Sequence, residues 1–183
     1  RPSQGRVYLA GLDLSRTSAQ ARSLVGVVAH ETFLYDDLTG YENLRFYARL
    51  FGVQRGDQRV VAVARSLALE PYLSARVGAL SHGIQKRLSM ARALIHQPPI
   101  LLLDEPEAGL DQEALALLES LLADHREVGG SVVLTTHSIE RGLGMADQVA
   151  ILSEGRLAHL GARDELDAAA FGDVYARATG DLG

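Results

Sequence analysis

The 183 residues are 47% hydrophobic and 22% charged, which suits one sizeable globular core and excludes a disordered or fibrous chain. A formal net charge of −5 leaves no basic stripe for a phosphate backbone, so no nucleic acid partner is expected, and no stretch reads as a membrane span or a signal peptide. With no cysteine, disulfides and thiolate metal sites are excluded; the six histidines lack metal-ligand spacing, and Lys86 is the sole lysine.

Residues 5–9 with Gly11 read as a short strand closed by a glycine turn, and 15–22 as a polar stretch. The run 24–29 is a second short buried strand that ends at His30, with a loop over 31–37. Thr39 and Glu42 have capping-box spacing, hydroxyl and carboxylate each satisfying an amide where a helix opens. Leu44, Tyr47, Ala48 and Phe51 give that helix its apolar face, and Gly52 ends it. A further helix is expected over 57–69, with Val60, Val63, Ala64 and Leu67 inward and Pro71 beyond its end. Ser81 is placed as the N-cap of an amphipathic helix running to His96, where Gln97, Pro98 and Pro99 break it.

In 100–106, ILLLDEP, four apolar residues without alternation run into two carboxylates and a proline. This is the pattern of a buried parallel strand that delivers Asp104 and Glu105 to its carboxyl end, where ligands bind in open α/β sheets. Pro106 stops the strand. Gly109, Leu110 and Asp111 open the next helix, with Leu115, Leu118 and Leu122 on one face and Gly129 and Gly130 at its end. A β-branched strand over 131–135 leads to Thr136 and His137, Ser138 caps a short helix, 149–152 and 156–160 form a hairpin, and Asp164 caps a last alanine-rich helix.

Three features thus share one frame: LSHG opening a helix, ILLLDEP ending a strand, and His137 just past the next strand. Ser81 and Gly83 at a helix N-terminus, with its unpaired amides and positive dipole end, suit an anion such as a terminal phosphate, although a plainly capped helix uses the same residues. Asp104 suits magnesium held through water, because magnesium keeps its hydration and takes oxygen. Glu105 suits a base for a water nucleophile. His137 could hydrogen-bond a transferring phosphate, or simply fill a turn.

LSHGIQKR, ILLLDEP, AGLD and TTHS, in this order, resemble the signature, Walker B, D-loop and switch-histidine motifs of ABC-type ATPases, over residues 5 to about 166. The resemblance implies an α/β fold, a P-loop NTPase-like ABC ATPase core with a mostly parallel sheet, as one domain over 1–183 with an inserted helical subdomain at about 38–97. It implies an ATPase that uses ATP and Mg2+, and a second ATPase subunit, since two copies sandwich ATP head to tail. Carried over to this chain, Ser81, Gly83 and Gln85 contact nucleotide held by the partner subunit, and Asp104 sits in the magnesium shell. Glu105 is then the catalytic base, Asp111 bridges the two sites, and His137 senses the γ-phosphate.

No GxxxxGK[ST] phosphate loop occurs, and Lys86 lies outside any such frame. The resemblance therefore implies an N-terminally truncated core, its phosphate loop and adenine-stacking aromatic expected ahead of Gly5, and a fragment that is inactive alone. His82 stands where the signature has glycine, Ile84 where it often has glutamine, and His30 where the Q-loop has glutamine. An imidazole is a poor direct ligand for magnesium, so His30 is expected to reach the metal through a bound water. The segment 30–52, HETFLYDDLTGYENLRFYARLFG, resembles the haem exporter ATPases of cytochrome c maturation. That implies a peripheral subunit at the cytoplasmic face of the inner membrane, docked through the Q-loop and helical region onto transmembrane permease subunits. Exporters of drugs or glycans share much of this segment. A soluble ABC ATPase of DNA repair or translation would bring a coiled coil, zinc cysteines or a basic face. The alternative that takes the missing loop at face value is a regulatory or interaction module that keeps the fold without ATP binding, and the intact Glu105 and His137 argue instead for a truncated ATPase.

Overall fold

The computed structural model describes residues 2–15 and 18–165, with 172 and 175 beyond them. The alanine-rich helix expected after Asp164 therefore lies outside the described residues, and Asp164 itself falls in a one-turn 3-10 helix, Arg163–Glu165. The chain divides into two units, 1–135 and 136–183, each taken here by itself.

The first unit opens with a hairpin of β1 (Tyr8–Leu9) and β2 (Leu12–Asp13). Its turn passes through Ala10 and Gly11, both in the left-handed region at φ 47° and 78°, as a two-residue hairpin turn requires. The sequence pattern predicts only the first of these strands, and the polar stretch after it contains a short helix, α1 (Ser18–Ser23). β3 (Val25–Val28) leads into the 31–37 loop. α2 (Gly40–Leu50) starts at the expected capping box: the Glu42 amide donates to Thr39 Oγ1 at 3.2 Å and the Thr39 amide to Glu42 Oε2 at 2.8 Å. α3 (Gly56–Ser66) ends three residues before the expected Leu69, because Ala68 turns left-handed at φ 51°. Its predicted inner face, Val60, Val63 and Ala64 with Leu67, is buried as expected.

α4 (His82–Leu94), β4 (Ile100–Asp104), α5 (Gln112–Glu127) and β5 (Ser131–Thr135) complete this unit. The three strands form a parallel sheet in the order β3-β4-β5, with Val28 beside Leu103 and Asp104 beside Thr135. The carboxyl ends of all three strands therefore lie along one edge. α4 packs so close to β3 that a Cβ on Gly26 would meet the Ala93 carbonyl oxygen at 2.4 Å, so only glycine fits.

Burial of the central strand differs from the reading of its apolar run. Val28, Leu101 and Leu103 are buried on the face that α4 covers, whereas Val27, Leu102 and Val133 form a cross-strand row at 36%, 38% and 61% exposure on the other. Successive strand residues point to opposite faces, and among the described residues only one face of this sheet is packed to the full.

The second unit holds α6 (Ile139–Met145) and the expected hairpin, β6 (Gln148–Ser153) and β7 (Arg156–Ala162), turning through Glu154 and Gly155. Ser138 occupies the N-cap of α6 without a side-chain capping bond; its amide instead donates to Thr136 Oγ1 at 2.9 Å. The Arg163 guanidinium donates to the Leu143 carbonyl at 3.1 Å, tying the end of the hairpin to α6.

Candidate functional site

β4 ends where the sequence pattern puts its acids. Asp104, the last strand residue, is exposed, and its Oδ1 accepts a 2.6 Å hydrogen bond from Thr135 Oγ1 on β5. Glu105 follows in the left-handed region, φ 46°, uncommon for a residue with a Cβ. Its amide donates to both the carbonyl and the Oγ1 of Thr135, at 3.1 and 3.2 Å. Thr135 thus fixes both acidic residues, a role that no motif announced. Lys86 on α4 reaches the same turn and donates from Nζ to the Glu105 carbonyl at 3.2 Å. Burial pulls the Lys86 pKa down, and the carboxylates of Asp104, Glu107 and Glu105 oppose that shift.

The N-terminal tip of α4 is the second part. Ser81 sits at the N-cap with φ −63° and ψ 155°, but its hydroxyl makes no capping bond, contrary to the reading of its side chain as the cap. Helix amides and an exposed hydroxyl are therefore presented together at this end. Gln85 is spent locally: its Nε2 donates to the carbonyls of Val77 and Leu80 at 2.9 and 3.1 Å, holding the loop that enters the helix. His82, in a usual glycine place, lies against Gly109, whose φ of 75° needs glycine and whose added Cβ would stand 3.2 Å from His82 Nδ1. Asp111 then caps α5 by accepting the Ala114 amide at 2.8 Å, so its carboxylate has a local structural task as well as exposure.

α4 also holds the loop that carries His30. Ser89 Oγ donates to the Thr32 carbonyl at 3.1 Å, and the Arg92 guanidinium donates to the Val27 carbonyl at 2.5 Å. Arg92 lies 5.3 and 5.5 Å from the ring centres of Phe33 and Tyr47, and Tyr47 donates to the Phe33 carbonyl at 2.5 Å. From α2, buried Asn43 closes the same loop, accepting the Tyr35 amide at 2.8 Å and donating to the Tyr35 and Thr39 carbonyls at 3.0 Å. His30 itself is exposed, two residues past β3 and on the same sheet edge as Asp104. His137 belongs to the second unit, where it is exposed.

Among the described residues no group of three or more His, Asp or Glu side chains could hold a metal ion by itself. A single strand-tip carboxylate such as Asp104 nevertheless fits an oxygen-seeking cation that keeps most of its water, as magnesium does. The unspent amides at the tip of α4 fit phosphate oxygens.

Comparison with known proteins adds a sequence family: residues 1–108 match the model described as ABC transporter. The ABC transporter ATP-binding protein NatA of Bacillus subtilis is 31% identical over 168 residues, covering 90% of this chain and 68% of NatA. The linearmycin resistance ATP-binding protein LnrL of Bacillus subtilis is 27% identical over 96% of this chain and 57% of its own length. A Nod factor export ATP-binding protein I from Paraburkholderia xenovorans is 35% identical over 93% of this chain and 57% of its own length. The chain thus spans between 57% and 68% of these three relatives. An ATP-binding subunit of an ABC transporter superposes with a TM-score of 0.87 at 25% identity, covering 97% of this chain and 77% of that one. A dimeric ATP-binding cassette in a post-hydrolysis state with ADP and Pi gives 0.79 at 25% identity, over 89% of this chain and 75% of that one. The cbiO1 protein of Clostridium perfringens, part of the cbiONQ transporter complex, gives 0.77 at 25% identity, over 96% of this chain and 71% of that one.

Proposed function

The chain belongs to the ABC transporter ATP-binding family, and from that premise we propose that it supplies the signature helix, Walker B strand and switch histidine of an ATP-hydrolysing transport subunit. The observation that carries this reading is the acidic pair at the tip of β4, where Thr135 holds the Asp104 carboxylate and the Glu105 amide, at the strand ends where α/β folds place their ligands. Glu105 takes the proton of the attacking water, and Asp104 would hold magnesium through water. Bound magnesium would neutralise charge on the phosphate oxygens. His30 stands on the same edge, where its ring nitrogen can bond a metal-bound water, and His137 hydrogen-bonds the γ-phosphate.

Ser81 and Gly83, with the amides of the α4 tip, receive the phosphates of a nucleotide held by a second ATPase subunit, arranged head to tail. Gln85 supports that tip by holding Leu80, and Asp111 faces the other site across the dimer. Residues 1–183 act as one ATPase domain, with 38–97 as its helical part. No described helix is long and apolar enough to cross a membrane. The membrane partner in this reading is a permease subunit, against which this chain sits at the cytoplasmic face. The exposed aromatics Phe33, Tyr35 and Phe46, with Tyr35 edge-to-face on Phe46 at 5.3 Å, lie in the segment that resembles the docking region of exporters. The names linearmycin resistance and Nod factor export favour an exporter of a drug or glycan, the name of NatA points to no cargo, and none of the three lends anything to the haem-export reading of 30–52.

Two measurements test this. The 183-residue chain has no phosphate loop in its sequence, and backbone amides with a lysine normally hold the β and γ phosphates. Titration of the chain with a fluorescent ATP analogue is expected to show weak binding, and micromolar, magnesium-dependent affinity would overturn that. Joined behind the phosphate-loop segment of NatA, the chain is expected to hydrolyse ATP. Glu105→Gln should then keep nucleotide binding, accumulate an ATP-bound dimer, and lose on the order of a hundredfold or more in turnover. Near-normal turnover would remove Glu105 from its role.

A further inference from the structure

The signature helix buries a cation that the reading above leaves without a task. Lys86 is 4% exposed and has no lysine neighbour anywhere in the chain to share its work. An aliphatic side chain would fill the same space without the cost of stripping water from an ammonium, so packing does not explain the choice. What the ammonium meets is the carbonyl of Glu105, at 3.2 Å. Glu105 is held left-handed, a conformation that persists only when its surroundings over-determine it. The peptide group before its Cα is pinned by Thr135 of β5, through the amide. The peptide group after its Cα is pinned by Lys86 of α4, through the carbonyl. With both flanking peptides fixed, the Cα–Cβ bond has one direction, and that direction aims the carboxylate.

We propose that Lys86 is a positioning residue for the Glu105 base: by holding the Glu105 carbonyl it keeps the turn after β4 in its left-handed form and makes the aim of the carboxylate depend on the signature helix. The proposal rests on Glu105 being the base. Lys86 lies five residues after Ser81, about one and a half turns along a rigid helix. A phosphate engaged at the Ser81 tip therefore bears, through Lys86, on the base of the other site in the dimer.

The test uses the ATP-competent fusion with the NatA phosphate-loop segment and, beside it, the 183-residue chain. Lys86→Met is expected to lower kcat by about tenfold or more with KM for ATP within about twofold, because the missing contact matters for the aim of the base and not for nucleotide binding. Lys86→Arg, whose guanidinium can reach the same carbonyl, should recover kcat to within about threefold of wild type. Adding Lys86→Met to Glu105→Gln should cost nothing more, since a positioning group has nothing left to position. Wild-type kcat in Lys86→Met, or a further loss in the double variant, overturns the proposal while leaving Glu105 as the base. An active Glu105→Gln variant overturns the base assignment itself. In the 183-residue chain, hydrogen exchange of the Glu105 amide should quicken in Lys86→Met while the rest of β4 is unchanged; uniform quickening along α4 and β4 would make Lys86 a stability residue only. If Lys86→Met fails to fold, the wild-type chain labelled with 15N-lysine decides: its one Nζ ammonium should exchange slowly with water, and fast exchange would overturn the contact.

Discussion

The helices before and after the central strand in the chain are held by different chemistry. α5 has 16 residues and buries Ala114, Leu118 and Leu122 in a single stripe, an ordinary amphipathic helix on a sheet. α4 has 13 residues, of which eight are buried, and three of those eight are Lys86, Ser89 and Arg92. Each of these polar groups donates to the backbone of another segment, to Glu105, Thr32 and Val27 respectively. The Arg59 guanidinium of α3 takes the carbonyls of Leu94 and Ile95 at the C-terminal end of α4, at 2.8 and 3.2 Å, where a cation also meets the helix dipole. An apolar stripe tolerates small slides and repacking, but a buried donor and its acceptor tolerate one register. α5 is placed by area and α4 by specific pairs, and the candidate site hangs on α4.

Conservative substitutions should separate the two helices most clearly. Truncation is blind to the difference: Arg92→Ala and Leu118→Ala should each cost about 3 kcal/mol in urea unfolding, one through lost hydrogen bonds and the other through a cavity. With methionine the results should part. Leu118→Met keeps volume and should cost less than about 1.5 kcal/mol, whereas Arg92→Met strands the Val27 carbonyl and should stay near about 2 kcal/mol. Equal penalties for the two methionine variants would erase the distinction drawn between the helices.

Single hydroxyls should repeat the contrast on a smaller scale. Ser89→Ala, which releases the Thr32 carbonyl, is expected to cost about 1 kcal/mol and to speed hydrogen exchange in the 31–37 loop. The exposed Ser120 of α5 should change stability by less than about 0.5 kcal/mol on the same substitution. Loop exchange unchanged in Ser89→Ala would mean that α4 does not hold the His30 loop. At the start of α5, Asp111→Ala should cost about 1 kcal/mol and Asp111→Asn only a few tenths, because asparagine can still accept the Ala114 amide.

The smallest effect is a pH dependence at the far end of α4. His96 stacks on Phe51 at 3.8 Å between ring centres and pairs through Nε2 with the Val25 carbonyl at 3.1 Å. Burial lowers its pKa from the ordinary 6.5, the Val25 bond opposes that, and the Arg92 and Arg59 cations add to it. The unfolded chain therefore takes up this proton at a higher pH than the folded one, and stability should fall as pH drops through about 6.5, levelling off below the folded value. Urea midpoints measured from pH 7.5 to 5 should decline less in His96→Gln. Parallel profiles in the two proteins would take His96 out of the account.

Much of the fold around the candidate site is legible in the sequence, since the apolar run before Asp104 and Glu105, the Thr39 and Glu42 box and the Val60, Val63, Ala64 face are local patterns read within a strand or a few helical turns. Local pattern also placed Ser81 and Asp111 at helix starts, though not the idle hydroxyl of the one and the occupied carboxylate of the other. Helical periodicity assigns a lysine, a serine and an arginine to water, and so it read α4 as amphipathic. Only the tertiary structure put Lys86, Ser89 and Arg92 inside, because the carbonyls they meet lie 19, 57 and 65 residues away along the chain. The same holds for the open face of β4: an apolar run states that burial is favourable, and which face receives it depends on where α4 lands. A residue's own propensity and its near neighbours act over a few residues, whereas the partner of a buried polar group is chosen by chain closure over distances that no local pattern spans.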